Sequence, residues 1–559
     1  MNMKYLSLTL TLFSVALAGL CKPRVKTEDQ RPNLLFIMTD QQRFDALGRA
    51  GKFDFLQTPH LDQLANEGAY FTKAYTPCAV CAPARASILT GQTVENHGIR
   101  RNDYAYFDPK EGSYCDEPTF DQVLVERGYY AEYWGKFHSP LKLASPYSTF
   151  DYSVNSEGRY TLEDRKQFVA LMKQAAEHYQ PQSHELKDPF FLNYYSPDPI
   201  DLRYGKAADF RRKRSDGTFM PLIQPDNHGK LNIPAEKSLT AFQTQQAIAA
   251  LERAAAQEKP FSITLSYFFP HAPMLPTAPW YGMYPPEEMP IPESLEDPMT
   301  DSPYLRENGR DLMPEYRDPE KIKYMMSNYF GLISEVDHYI GKLMLALDSL
   351  GFADNTLIIF TSDHGEMLGS HGMREKNVFY EESAHIPLIV WYPQKIKPVV
   401  VNSPISLIDL YPTIMDYLHM DGGKRDGLSL KGLIEKSPAA ERSYVVTEWD
   451  FHGPVQPNYM VVADGWKLMT SYAENRPDLD VLYHLKDDPH EIHNLMKGPD
   501  RAVYREKVAE LKAYLVEWLQ EKGSKRTGII SSKKLSMHLE QPDGPPAFRQ
   551  SHEVLKGKR

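Results

Sequence analysis

Cysteine is scarce in this chain. Four residues among 559 (Cys21, Cys78, Cys81 and Cys115) are too few for a fold held together by disulfides. Excess positive charge is missing as well: 63 basic side chains against 74 acidic ones give a formal charge of -11. That balance excludes the basic footprint of sequence-independent nucleic-acid binding. An anionic substrate would have to be attracted locally, by a metal or a tight basic cluster. Beyond the N-terminus no apolar run reaches membrane-spanning length, and there are no internal repeats or low-complexity tracts. What remains is an ordinary globular composition, 42% hydrophobic and 25% charged. The length sets a loose prior of three or four domains.

The N-terminus carries an address. Lys4 precedes an apolar run from Tyr5 to Leu20, and Ala16-Leu17-Ala18 offers a small-x-small cleavage site. The reading is a signal peptide, residues 1–18, on an exported protein, periplasmic or secreted. The run is short for a membrane anchor. Gly19-Leu20-Cys21 leaves lipoprotein anchoring open, although leucine fits poorly before a lipidated cysteine. A polar linker, Lys22 to Gln30, follows.

Several apolar runs then end in residues fit for chemistry. PNLLFIMTD, 32–40, reads as a buried strand of a parallel sheet, with Asp40 at its C-terminal edge and Gln41 next. Asp40 there is either a ligand or a cap for the next turn. An amphipathic helix carrying Leu61, Leu64 and Ala65 ends at Gly68. The segment YTPCAVCAPARASILTG, 75–91, puts Cys81 in a turn feeding a helix that buries Ala86, Ile88 or Leu89. Free N–H groups and the helix dipole favour an anion there and lower a thiol pKa. Cys78 and Cys81 also read as small buried hydrophobes, a disulfide or a Cys-x-x-Cys redox pair.

Further along, a helix over Phe120 to Gly128 and a strand over Tyr130 to Trp134 lead into Gly135-Lys136-Phe137-His138. On extended backbone Lys136 and His138 point the same way, a clamp for a tetrahedral oxyanion or else a surface pair. Residues 140–235 show little pattern; RRKR at 211–214 reads as a solvated loop or as a contact for a polyanion. A helix over 238–256 and a strand over 261–269 empty into Pro270-His271-Ala272-Pro273. Trp280, Tyr281 and Tyr284, in a proline-rich loop, either stack on a sugar or pack. A long helix over 321–350 precedes the strand TLIIFTSDHG, 356–365, which delivers Asp363 and His364. Carboxylates with an amide oxygen favour a hard cation, while the histidine leaves manganese or zinc open. A helix is expected over 406–420. From about 440 the chain alternates like antiparallel strands, with Glu448, Asp450 and His452 leaving one of them, and a helix closes this part.

These motifs together resemble the type I sulfatases of the alkaline-phosphatase-like superfamily. The resemblance rests on Cys81-x-Pro83-x-Arg85 with Thr90-Gly91, Gly135-Lys136-x-His138, Pro270-His271-x-Pro273, the Asp363-His364 pair, and Lys376 ahead of a Tyr-Glu-Glu run. It implies an α/β fold with a central mixed, mostly parallel sheet flanked by helices. It also implies a catalytic domain over 19–435, a smaller C-terminal antiparallel-sheet subdomain over 436–523, and an extended tail over 524–559. Cys81 would be oxidised to formylglycine by a maturation enzyme. One calcium ion would sit on Asp40, Gln41, Asp363, His364 and the modified Cys81. Arg85 would stabilise the nucleophile, Lys136 would bond it and a sulfate oxygen, and His138 would hold or deprotonate the aldehyde hydrate. His271 and Lys376 would bind sulfate and protonate the leaving group. Asn102, His371 and Arg374 are placed as further substrate contacts. With Cys81 converted and Cys21 removed or lipidated, at most one bridge, Cys78 to Cys115, is left.

Gln41 and His364 depart from the aspartate and asparagine of many relatives. Gln41 widens the expectation from a sulfated saccharide, choline sulfate or aryl sulfate to phosphonate monoesters and phosphodiesters, while His364 bears on which cation is bound. The alternative from another class is a secreted glycan-binding protein with a degenerate site.

Overall fold

The computed structural model describes residues 31–102, 114–142, 229–298, 317–450 and 457–527, apart from 231–233, 258, 273, 438–440, 472–478 and 525. The signal segment, the linker up to Gln30, RRKR at 211–214, Pro273, His452 and most of the tail lie outside the described residues.

The apolar runs become the strands of one sheet. Its strands are β1 (Asn33–Asp40), β2 (Ala69–Tyr75), β3 (Tyr130–Gly135), β4 (Phe261–Pro270), β5 (Thr356–Ser362), β6 (His385–Trp391), β7 (Val399–Val401) and β8 (Ile405–Ser406). The order is β3-β4-β1-β5-β6-β2-β7, with β8 also on β2. β3, β4, β1 and β5 are parallel neighbours. β6 runs antiparallel to both β5 and β2, so β2 points the same way as the parallel set. Five strands therefore end at one edge, and the loops leaving them carry Gln41, Thr76, Lys136, His271 and Asp363.

Both faces of the sheet are covered, which is why its strands read as unbroken apolar runs. On one face Leu35, Ile37, Ile263 and Phe360 pack against the helices Pro59–Glu67, Leu239–Gln257 and Pro319–Ser349. On the other, Leu34, Phe36, Met38 and Ile359 meet the helices Cys81–Thr90, Phe120–Glu126 and Leu410–Tyr417. Each such fully buried side chain is worth roughly 1.5–3 kcal/mol.

The C-terminal part is a four-stranded antiparallel sheet of β9 (Tyr444–Asp450), β10 (Pro457–Ala463), β11 (Trp466–Ser471) and β12 (Leu479–His484). The helix Arg505–Glu521 covers one face through Leu511, Leu515 and Leu519. The other face, through Val445, Met460 and Met469, packs on Tyr75, Cys78, Val80 and Tyr380. The small sheet thus backs the segment that presents Cys81. Among the described residues no helix is long and apolar enough to cross a membrane.

One expectation changes and two open alternatives close. The single helix over 406–420 is a short 3-10 turn, Leu407–Asp409, followed by a helix that ends at Tyr417; His419 at φ 56° lies outside helical space. Cys78 and Cys115 are both buried thiols rather than a bridge. Trp280 and Tyr284 are packing residues: both are buried, and the Tyr284 hydroxyl pairs with Ser334 at 2.6 Å.

Candidate active site

Cys81 is the first residue of a helix whose ten residues are all buried, and Gly91 closes it in left-handed backbone at φ 67°. The N-terminus of that helix faces the edge where the strands end. Asp40, Cys81, Asp363 and His364 each bring one ligand atom within 4.8 Å of the others, and all four are buried. His364 Nε2 lies 3.0 Å from Cys81 Sγ. The other ring nitrogen, Nδ1, is 3.0 Å from the Gly365 carbonyl. A carbonyl only accepts, so Nδ1 carries a proton and Nε2 is the ring nitrogen that faces the cluster, the atom a cation would take in exchange for any proton there. Gly365 is held by space: a Cβ there would sit 1.9 Å from the Glu382 carbonyl oxygen.

Arg85 ties the strand ends together. Its Nη2 donates to Asp40 Oδ2 and its Nε to Asp363 Oδ2, both at 2.8 Å, while Nη1 reaches Ser266 Oγ at 2.7 Å and the Lys136 carbonyl at 2.6 Å. Lys136 Nζ pairs with Asp40 Oδ2 and lies 3.8 Å from Cys81 Sγ. Gly135, at φ 99°, allows Lys136 N–H to reach the Ser266 carbonyl at 2.8 Å. Past that glycine the alternation of an extended strand no longer applies. His138 has φ 44°, so its direction is set by a left-handed turn and not by the two-residue spacing from Lys136. It is buried all the same.

A second group of side chains leads away from the cluster. Lys376 Nζ donates to Gln41 Oε1 at 2.6 Å and meets His271 Nε2 at 2.9 Å. His271 Nδ1 lies 2.6 Å from the Ala272 carbonyl, so Nδ1 holds the proton and Nε2 accepts from lysine. Burial and the ammonium groups of Lys376 and Lys136 push His271 down to about 3. This imidazole is neutral, and the protons belong to Lys376. Asn102 accepts from Ala82 N–H at 3.0 Å and so stands at the start of the Cys81 helix.

The charges are uneven. Burial opposes ionisation of Asp40, yet Lys136 beside it holds that carboxyl well below the usual range. Burial also opposes the Cys81 thiolate, but Lys136 and Lys376 pull it well below an ordinary thiol. Burial opposes charge on His364 too, and Asp363 and Cys81 nevertheless lift it to about 9. Asp40 Oδ1, buried, accepts no hydrogen bond. An orphaned carboxylate oxygen, a second carboxylate and a histidine Nε2 gathered within 4.8 Å suit a divalent cation, which would displace the proton that His364 holds in its absence. Asp40, Asp363 and His364 would hold it, and Gln41 Oε1 is near enough to Lys376 to be shared between them.

Two expected substrate contacts sit differently. His371 is fully buried, with Nδ1 2.7 Å from Asp297 Oδ2 and its ring stacked on Tyr380 at 3.9 Å. Arg374 is half-buried and pairs with Glu375 at 3.2 Å. Neither is brought to Cys81 by these contacts. Glu448 caps the turn Val94–His97, accepting from Val94 N–H at 2.5 Å. Three residues that sequence reading passed over complete the site. Ser266 holds Arg85 from inside an apolar run. Tyr329 donates to the Gln41 carbonyl at 2.7 Å and fixes its positive φ of 72°. Glu366 accepts from the Gln41 side-chain amide. Only Glu366 left a trace, as a carboxylate two residues beyond an Asp-His pair.

Comparison with known proteins agrees with this geometry. The Sulfatase family model matches residues 32–420, and the model for the N-sulphoglucosamine sulphohydrolase C-terminal region matches 369–521. The chain is 28% identical over 522 residues to an arylsulfatase of Clostridium perfringens, covering 90% of this chain and 97% of that one. It is 29% identical over 546 residues to an N-acetylglucosamine-6-O-sulfatase of Bacteroides thetaiotaomicron, covering 91% and 90%. Among solved structures, a phosphonate monoester hydrolase from Silicibacter pomeroyi superposes with a TM-score of 0.67 at 26% identity, covering 88% of this chain and 96% of that one.

Proposed function

The chain belongs to the sulfatase family and is a sulfuric ester hydrolase; from that premise we propose that its substrate is a sulfated saccharide and its nucleophile a formylglycine made from Cys81. The observation that carries this reading is the convergence of Asp40, Cys81, Asp363 and His364, buried, at the edge where the parallel strands end. Hydrolysis of a sulfate ester needs an attacking oxygen in line with the leaving group, positive charge around the sulfonyl oxygens, and a proton for the departing alcohol. The hydrated aldehyde at position 81 supplies the attacking hydroxyl, and a divalent cation held by Asp40, Asp363 and His364, calcium in this reading, would supply Lewis-acid polarisation.

The chain's own side chains do the rest. Arg85 spans both carboxylates and keeps Asp40 and Asp363 oriented. Lys136, beside residue 81, offsets charge on the nucleophile and on sulfate. Lys376 delivers the leaving-group proton, with neutral His271 fixing the direction of its ammonium. His138 accepts the proton of the second hydroxyl, so that the C–O bond to sulfate breaks, sulfate leaves and the aldehyde is regenerated. The saccharide follows from the name of the N-acetylglucosamine-6-O-sulfatase relative. Export and encounter with a maturation enzyme follow from the N-terminal pattern and from Cys81-x-Pro-x-Arg.

A second reading has an observation of its own. Gln41 in place of a second aspartate puts less negative charge at the cation, His364 offers a ring nitrogen where an asparagine offers an amide oxygen, and a phosphonate monoester hydrolase superposes over most of the chain. The test is kcat/KM for matched sulfate monoesters, phosphonate monoesters and phosphodiesters, followed by a panel of defined sulfated oligosaccharides. Higher kcat/KM on a sulfated sugar is expected. Preference for the phosphonate would move the assignment to the second reading.

A further inference from the structure

We propose that Glu366 is a positioning residue that fixes which end of the Gln41 side-chain amide faces the cation site; this rests on Gln41 being a cation ligand. The Gln41 amide lies between two groups that each tolerate one orientation. Lys376 Nζ, which only donates, meets Oε1 at 2.6 Å. Glu366 Oε2, as a carboxylate oxygen, takes the amide Nε2. Both constraints point the same way and leave Oε1 on the side of Lys376. Without the carboxylate, Lys376 alone would oppose the rotation that brings NH2 toward the cation.

Glu366 is itself immobilised. Its Oε1 accepts from Leu368 N–H at 3.0 Å and from Glu375 N–H, and its backbone N–H donates to the Glu382 carbonyl at 2.8 Å. It is 1% exposed. Glu375, in left-handed backbone at φ 62°, directly precedes Lys376. One carboxylate thus sets the loop that carries the lysine and the orientation of the amide the lysine binds.

Glu366→Gln separates these jobs. Its single oxygen still accepts from Leu368 and Glu375, so the loop survives, but its NH2 now meets the Gln41 amide and turns it round. Calcium titration calorimetry on the purified full chain is expected to give a dissociation constant about 10–100-fold weaker than the parent, with unchanged circular dichroism. Gln41→Glu in the same background restores an acceptor toward both neighbours, and affinity recovers. Gln41→Glu alone sets two carboxylates face to face and binds less tightly than the double variant. Parent-like affinity in Glu366→Gln overturns the proposal. So does a double variant no tighter than Gln41→Glu alone, since added charge would then explain the recovery. A parent that binds no divalent cation removes the metal reading itself, and this inference with it.

Discussion

Among the described residues, two clusters of buried charge are built differently. Under the small sheet, Lys467 from β11 sits 3.0 Å from Glu381 and 2.8 Å from Glu491. His385 and the Tyr75 hydroxyl complete the Glu381 carboxylate at 2.8 and 3.1 Å. Glu491 also accepts from Glu381 N–H at 2.7 Å. Every oxygen of these two carboxylates faces a donor or the Lys467 ammonium, Glu491 Oε1 through the ion pair alone, and the cluster joins the C-terminal sheet to the segment that follows Lys376. At the edge of the large sheet, Arg85, Lys136 and Lys376 surround Asp40, Asp363 and Cys81, yet Asp40 Oδ1 is left without a hydrogen bond. Burying such an oxygen unsatisfied costs about 1–3 kcal/mol or more. The closed cluster is a clasp; the open one is built for a ligand.

The sharpest contrast comes from removing one residue of each. Cys81→Ala should cost roughly 10³-fold or more in kcat/KM, as loss of a covalent nucleophile does, with a melting temperature close to the parent's. Lys467→Ala should do the reverse. It strands the buried Glu381 carboxylate beside Glu491 and is expected to lower stability by about 3–5 kcal/mol, read by denaturant titration, while kcat at low temperature falls far less. Comparable losses of activity from both would break the distinction.

Lys376→Ala is expected to lower kcat by about 10²–10³-fold. The loss should be greatest on esters of poorly acidic alcohols and small on an aryl sulfate whose leaving group needs no proton. An equal loss on both would take the proton-delivery role from Lys376. The smallest effect belongs to the clasp. Burial and the neighbouring Glu381 carboxylate push Glu491 up to about 8, against the pull of Lys467. Between an ordinary glutamate value and that point the folded state holds a proton the unfolded state has lost. This contribution to stability is therefore full at low pH and is lost as pH rises toward 8. Glu491→Gln should flatten the fall in melting temperature over that range; an unchanged profile would remove Glu491 as its source.

How much of this was legible beforehand depends on how local the cause is. The strands over 33–40, 261–270 and 356–362 announced themselves because both sheet faces are buried, and their terminal Asp40, His271 and Asp363 could be placed at one edge. Cys81 and Arg85 were legible from spacing on one helix. His138 was placed by strand alternation, which a glycine with positive φ one residue before Lys136 interrupts. His371 was assigned by nearness in sequence to Lys376, whereas its Asp297 partner lies 74 residues away. Ser266, Tyr329 and Glu366 act through hydrogen bonds between distant strands, helices and loops, and periodicity says nothing of those. The neutrality of His271 needed the Ala272 carbonyl and Lys376 in place.

The most direct test is peptide mass spectrometry across residue 81 on a sample whose sulfatase activity has been measured, produced beside a formylglycine-generating enzyme. The account predicts an aldehyde at that position, trapped by hydrazide labelling, in proportion to activity. A fully active protein carrying only the cysteine thiol would contradict it.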